Sequence, residues 1–295
     1  METISAAYRD RIVQMMGRAK LGRTVSEHNV YQIANLEILP FIDSMVQELV
    51  QKDSGILGVE NLWALLEKAK AGASCLLLLE HYSNFDLPVF SYLLRHTVEG
   101  GQALADALVA IAGMKLNESN PVVSAFTEAY TRIVIYPSRA LKDLDPQKDR
   151  EELIRSNAIN RAAMKALNDV KKSGKLVLVF PAGTRFRPWD PQSTRGVREI
   201  DSYIKSFDYM CMVAVNGEVL CIQKGDMAED LVCKDVVQFT VDPVVSCAEF
   251  REAERARAEK AGIEDKKQAV VDAIMERLMA MHKEAEAKRP RITQT

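Results

Sequence analysis

The sequence predicts an α/β fold: a mixed, mainly parallel sheet covered by helices, with a helical N-terminal region and a C-terminal helix. Three observations point there. Two strand-length runs, Cys75-Leu76-Leu77-Leu78-Leu79 and Leu176-Val177-Leu178-Val179-Phe180, are apolar without alternation, the pattern of strands buried on both faces. Segments with helical spacing separate the strand-like runs, as a mainly parallel sheet requires. With 47% hydrophobic and 27% charged residues over 295 positions, the chain has ample apolar material to offset its conformational entropy, which excludes disorder.

Residues 1–70 read as a helical region. Tyr8, Ile12, Met15 and Met16 share one helical face, and Ile33, Leu36, Leu39, Ile42, Met45, Val46 and Leu49 repeat the pattern, with Pro40 disturbing it. Another short amphipathic helix covers 59–66. The α/β domain is expected over 71–247. Its strands are placed at 75–79, at 108–111 followed by Gly113 and a polar loop, at 133–136 closed by Pro137, and at 175–180, 212–215 and 236–241. A long helix at 149–172 ends at Ser173-Gly174. Residues 248–295 form a C-terminal helical extension, in which Ala269, Val270, Ile274, Leu278 and Met281 make one docking stripe. No internal repeat is present.

Charge and cysteine content limit the function. The 39 Lys+Arg and 41 Asp+Glu leave a net charge of −2, which argues against a protein that coats nucleic acid, so no nucleic-acid partner is expected. Any phosphate must then be met by a local cluster of cations. The five cysteines are never closer than ten residues and form neither a zinc pattern nor a CxxC pair, so reduced, buried thiols and no metal site are expected. The start, Met1-Glu2-Thr3-Ile4-Ser5, lacks signal-peptide character, and no window approaches the roughly 20 apolar residues of a membrane helix. The expectation is a cytoplasmic protein, soluble or peripheral at a membrane.

Of the four histidines, His28 and His282 sit in polar stretches and read as solvated, while His96 ends an apolar helix in a structural position. His81 directly follows a buried strand, where α/β sheets gather functional groups. Asp86 can meet it only if His81 lies in a turn and Asp86 in the first helical turn. Ser83 and Asn84 are candidate N-caps for that helix, and Pro88 is tolerated in a first turn. A carboxylate on one imidazole nitrogen would leave the other as a general base. The competing reading makes the spacing accidental and Asp86 a plain helix N-terminal carboxylate.

A second cluster follows the strand at 175–180: Pro181-Ala182-Gly183-Thr184-Arg185-Phe186-Arg187-Pro188. Pro181, Gly183 and Thr184 suit a sharp supporting turn, and Arg185 and Arg187 alternate, so extended backbone would aim both guanidinium forks one way. Arginine suits bidentate phosphate contact. A solvated charged loop is the alternative.

Together, His81-Tyr82-Ser83-Asn84-Phe85-Asp86 and Phe180-Pro181-Ala182-Gly183-Thr184-Arg185 resemble the His-x4-Asp and Phe-Pro-Glu-Gly-Thr-Arg blocks of the glycerolipid acyltransferase family. Ile133-Val134-Ile135-Tyr136-Pro137-Ser138-Arg139 matches a third block loosely, and Val213-Ala214-Val215-Asn216 lacks the proline of the fourth. Ala182 replaces the family's glutamate. The Arg-x-Arg-Pro ending and the helical N-terminal region look more like the soluble, plastid-type glycerol-3-phosphate acyltransferases than the membrane-embedded lysophosphatidate enzymes.

The resemblance implies a glycerol-3-phosphate acyltransferase-like fold and an O-acyltransferase of phospholipid synthesis. It implies His81 as general base, Asp86 as its orienting carboxylate, and Arg139, Arg185 and Arg187 as phosphate ligands. Acyl-CoA or acyl-carrier protein would be the donor substrate and glycerol 3-phosphate the acceptor, with no cofactor. The compartment would be the plastid stroma if the chain is the mature form of a plastid protein. Peripheral membrane contact fits a lipid product. The alternatives are 1-acylglycerol-3-phosphate (lysophosphatidate) as acceptor, a catalytically silent lipid- or partner-binding module, and acylation of lipid A precursors, which also uses His-x4-Asp but expects a membrane anchor.

Overall fold

The computed structural model describes residues 1–20, 24–114, 121–142, 144–225 and 227–290. In chain order its strands are β1 (Tyr31–Gln32), β2 (Gly55–Leu57), β3 (Cys75–Leu79), β4 (Leu108–Gly113), β5 (Arg132–Ile135), β6 (Leu176–Val179), β7 (Tyr209–Asn216), β8 (Leu220–Cys221), β9 (Leu231–Val232), β10 (Gln238–Val241) and β11 (Val245–Ser246). Nine of them form one sheet in the order β1-β5-β4-β6-β3-β7-β10-β2, with β11 also paired to β7, while β8 and β9 make a separate ribbon. The central strands β5, β4, β6, β3 and β7 are parallel; β1 runs antiparallel to β5, β10 and β11 run antiparallel to β7, and β2 is parallel to β10. Helices Asp86–Thr97, Gln102–Ala107, Pro121–Glu128, Arg150–Val170 and Ile200–Ser206 supply the crossovers that parallel strands need.

β3 shows why its sequence lacks alternation. Cys75, Leu77 and Leu79 pack into one core, with Leu49, Leu65 and Phe90 among its members. Leu76 and Leu78 pack into a second core on the opposite face, with Ile159, Ile274 and Leu278. Both faces are dry, so an apolar residue is favoured at every position.

The six strands expected from the sequence are all present. The short strands β1 and β2, which sit at the two edges of the sheet, lie in the N-terminal region read as helical. At two and three residues they are too short to show a period. Pro40 occupies the first turn of helix Leu39–Leu49, so it starts that helix instead of disturbing a longer one. Ile33 and Leu36 precede it and are exposed. The polar loop expected after Gly113 lies outside the described residues.

The C-terminal extension is two helices, Cys247–Lys260 and Lys266–Lys288. Ser246 caps the first by accepting from the Glu249 amide, and Asp265 caps the second by accepting from the Lys267 and Gln268 amides. The second helix buries Val270, Ile274, Leu278 and Met281, as its stripe predicts. His282, read as solvated, is instead three-quarters buried: Nδ1 lies 3.1 Å from Glu80 Oε2 at the end of β3, and its ring stacks on Tyr82. Asn216 donates to the His282 carbonyl, and Arg289 pairs with Glu286 and Asp235. No helix among the described residues is long and apolar enough to cross a membrane.

Burial pushes the Glu80 carboxyl up, against the hydrogen bonds from His282 and the Val215 amide. Burial pulls His282 down, but the Glu80 hydrogen bond and the charges of Glu80 and Glu286 outweigh it and leave His282 raised. A histidine raised on folding adds stability that is full below about pH 6.5, its ordinary value, and lost as the pH rises through the raised one. The thermal midpoint should therefore fall as the pH rises above about 6.5, and His282→Gln should flatten the fall. Replacing Leu278, fully buried on the same helix, with alanine should cost about 2–5 kcal/mol in denaturant unfolding. Met279→Ala, at a half-exposed neighbour, should stay within about 0.5 kcal/mol.

Candidate active site

His81 lies just beyond β3, and the chain turns at once into helix Asp86–Thr97. The turn is held by the side chain it presents. Asp86 Oδ2 accepts from the amides of Tyr82 at 2.6 Å and Ser83 at 2.9 Å, and lies 2.9 Å from His81 Nδ1. Oδ1 accepts from the Ser83 hydroxyl at 3.1 Å. Neither Ser83 nor Asn84 is the N-cap; Phe85 takes that position, and the carboxylate of the first helical residue reaches back to amides of the preceding turn. Pro88 falls within the first turn, where its missing N–H costs nothing.

An ionised carboxylate only accepts, so a hydrogen bond between the pair places the imidazole proton on Nδ1 and the lone pair on Nε2. His81 Nε2 makes no hydrogen bond among the described residues. The ring is part-exposed and stacks on Phe180 at 4.0 Å between centroids, with 20° between planes. The imidazole is thus fixed at one edge by a carboxylate and along one face by an aromatic ring.

The second cluster reaches the same place because β6 is the parallel neighbour of β3. Its turn closes with the Gly183 amide donating to the Phe180 carbonyl at 2.9 Å. Gly183 has φ +64°, a conformation that favours glycine, and a Cβ there would also crowd Val197 at 3.1 Å. The Phe186 amide then donates to the His81 carbonyl at 2.7 Å, tying the two motifs through backbone. Ala182 is buried, and Thr184 sits part-exposed beside Gly183 in the turn.

The arginines differ in circumstance. Arg185, mostly buried, pairs with Asp230, whose side chain is fully buried just before β9 and also accepts from the Gln223 amide. Arg187 is 39% exposed with a loose 4.0 Å contact to Asp190, while its amide donates to the Ser193 hydroxyl. Arg139 is exposed on helix Ser138–Lys142 beyond β5 and makes no ion pair among the described residues. β5 is three strands from β3 along the shared edge, roughly 14 Å at about 4.8 Å per strand. The fold thus pairs His81 with Asp86 and ties the loop of Arg185 and Arg187 to them through the Phe186 amide, with Arg139 farther along the edge.

Three groups beside the site escaped the sequence reading. Asp230 carries no motif and comes from a distant loop. Glu80 had one signal, a carboxylate directly continuing a buried strand. His282 had none, since its contact to Glu80 spans 202 residues. Tyr82 packs between the His282 and Phe186 rings, and burial raises its hydroxyl pKa further. Behind Asp86 lies a crevice of only 10 Å³, lined by Val89, Val215, Val219, Val237 and Phe239 among others. A larger cavity, 330 Å³, lies between the two C-terminal helices, lined by Arg195, Arg257, Asp265 and Asp272 among others, and shares no residue with the His81 site. Among the described residues no cluster of three or more His, Cys, Asp or Glu side chains could hold a metal ion.

A search of curated proteins finds no match. The family profile described as Acyltransferase matches residues 63–244, from the helix before β3 to just beyond β10, and so includes His81, Asp86 and the arginine loop. With more than half of its length under that match, the chain belongs to the acyltransferase family.

Proposed function

We propose that this acyltransferase moves a fatty acyl group from a thioester donor, acyl-CoA or acyl-carrier protein, to the hydroxyl of glycerol 3-phosphate. The observation that carries the reading is the His81 imidazole held through Nδ1 by Asp86 with Nε2 unpartnered among the described residues. Nε2 takes the hydroxyl proton as the alkoxide oxygen attacks the thioester carbonyl. The tetrahedral intermediate collapses, the C–S bond breaks, and the departing thiolate takes the proton back from the imidazolium to leave as thiol. A thioester is already activated, so the step needs neither a metal nor a nucleophilic serine.

The arginines hold the phosphate. Arg187, the more exposed of the loop pair, makes the first contact, and Arg185 offers the donors of its fork that Asp230 does not engage. Asp230 serves as a positioning residue that keeps the Arg185 guanidinium at one angle. Arg139 meets the acceptor at the far end of the edge. Binding energy from these contacts orients the hydroxyl toward His81. The acyl product leaves by peripheral contact with a membrane.

Release of free thiol from an acyl-CoA, measured in parallel with glycerol 3-phosphate and lysophosphatidate, tests the reaction and the acceptor. His81→Ala should lower the turnover by about 10²- to 10⁴-fold, the range for a positioned general base. Unchanged turnover would remove the mechanism, and a wild-type protein inert with every donor would favour the silent binding module. Arg187→Ala should raise the acceptor KM by about 10- to 100-fold, the worth of a hydrogen bond to a charged group, and leave the donor KM alone. Equal effects on both substrates would argue against phosphate binding in this loop.

A further inference from the structure

The separate β8–β9 ribbon brings two cysteines together. Leu220 pairs with Val232 and Cys221 with Leu231, so Cys233 comes opposite Val219, to whose carbonyl its amide donates at 3.1 Å. Positions 219 and 221 share a face of the strand, which makes Cys221 and Cys233 a diagonal cross-strand pair on one face. Their Sγ atoms are 3.0 Å apart, about 1 Å more than a disulfide bond. Both are thiols and both are part-exposed, whereas Cys75, Cys211 and Cys247 are buried.

We propose that Cys221 and Cys233 are a thiol–disulfide site, a dithiol that a low-molecular-weight disulfide of the glutathione class oxidises to a bond across the ribbon. The two steps balance. The Cys221 thiolate attacks one sulfur of the small disulfide, forming a mixed disulfide and expelling one small thiol. The Cys233 sulfur, after losing its proton to solvent, then attacks Cys221 Sγ and expels the second small thiol. Two protein thiols are oxidised and one small disulfide is reduced to two thiols.

The electrostatics agree with this order. The hydrogen bond between the two sulfurs holds the Cys221 thiol below its ordinary value and pushes Cys233 up. The other three thiols are buried, out of reach of a small disulfide, and burial also pushes them up to about 12. Asp230 lies between the two cysteines in sequence, so the link would fasten the ends of the segment that holds Arg185. The chemistry of the pair does not depend on acyl transfer.

The test uses the full native chain in glutathione buffers of increasing oxidation, quenched in acid and denatured before the remaining thiols are trapped by maleimide and mapped by mass. The expected result is the paired loss of two thiols, at 221 and 233, reversed by dithiothreitol, with the other three still labelled. In Cys233→Ser, a stable glutathione adduct should accumulate on Cys221, because nothing remains to resolve it. Both cysteines still labelled in excess oxidised glutathione would overturn the proposal. So would separate glutathione adducts on each cysteine of the wild-type chain, or linkage to a buried cysteine.

Discussion

The parallel pairing of β3 with β6 is the constraint from which the site follows. Parallel strands end at the same edge, so pairing Leu78 with Val179 delivers His81 and the turn after Phe180 to one place. A slip of one residue would exchange the inward faces of β3 and place Cys75, Leu77 and Leu79 against the wrong core. Burial of each leucine stabilises the strand by about 1.5–3 kcal/mol on either face, and the fit of the side chains to their own core selects the register. The Phe186–His81 backbone hydrogen bond extends the association of the two chain segments beyond the strands themselves. The precision of the site therefore comes from the hydrophobic sheet beneath it.

Around that edge the charges are met locally. Asp86 is satisfied by two amides, a hydroxyl and an imidazole, Asp230 by an arginine and an amide, and Glu80 by a histidine and the Val215 amide. Each is a buried or nearly buried carboxylate, and each would be costly without its partners. The net charge of −2 thus conceals a cationic loop whose Arg185 is already offset by a buried acid, while Arg187 is left more available.

The C-terminal helix links the second core to the site. Its apolar stripe packs beneath the sheet, and its last turns reach Glu80 and Tyr82, the neighbours of His81 on either side. Nothing in the local pattern of this helix distinguishes those last turns from a solvated surface. Docking by the stripe brings His282 to Glu80, so a contact spanning 202 residues is a consequence of packing.

Legibility followed the range of the interactions. The long buried strands, the helix with the Val270–Ile274–Leu278–Met281 stripe, the His81 and Asp86 pair and the glycine turn at Gly183 all rest on contacts within a few residues or on a simple period, and these were readable from the chain. Pro40 misled because its meaning depends on whether a helix precedes it. Strands β1 and β2 are too short to carry a period, and only the sheet edges they meet make them strands. The Arg185–Asp230 pair, the Glu80–His282 contact and the approach of Cys221 to Cys233 were settled by folding alone. Each joins residues that no local rule relates, and their distances are set by the register and packing of the elements that carry them.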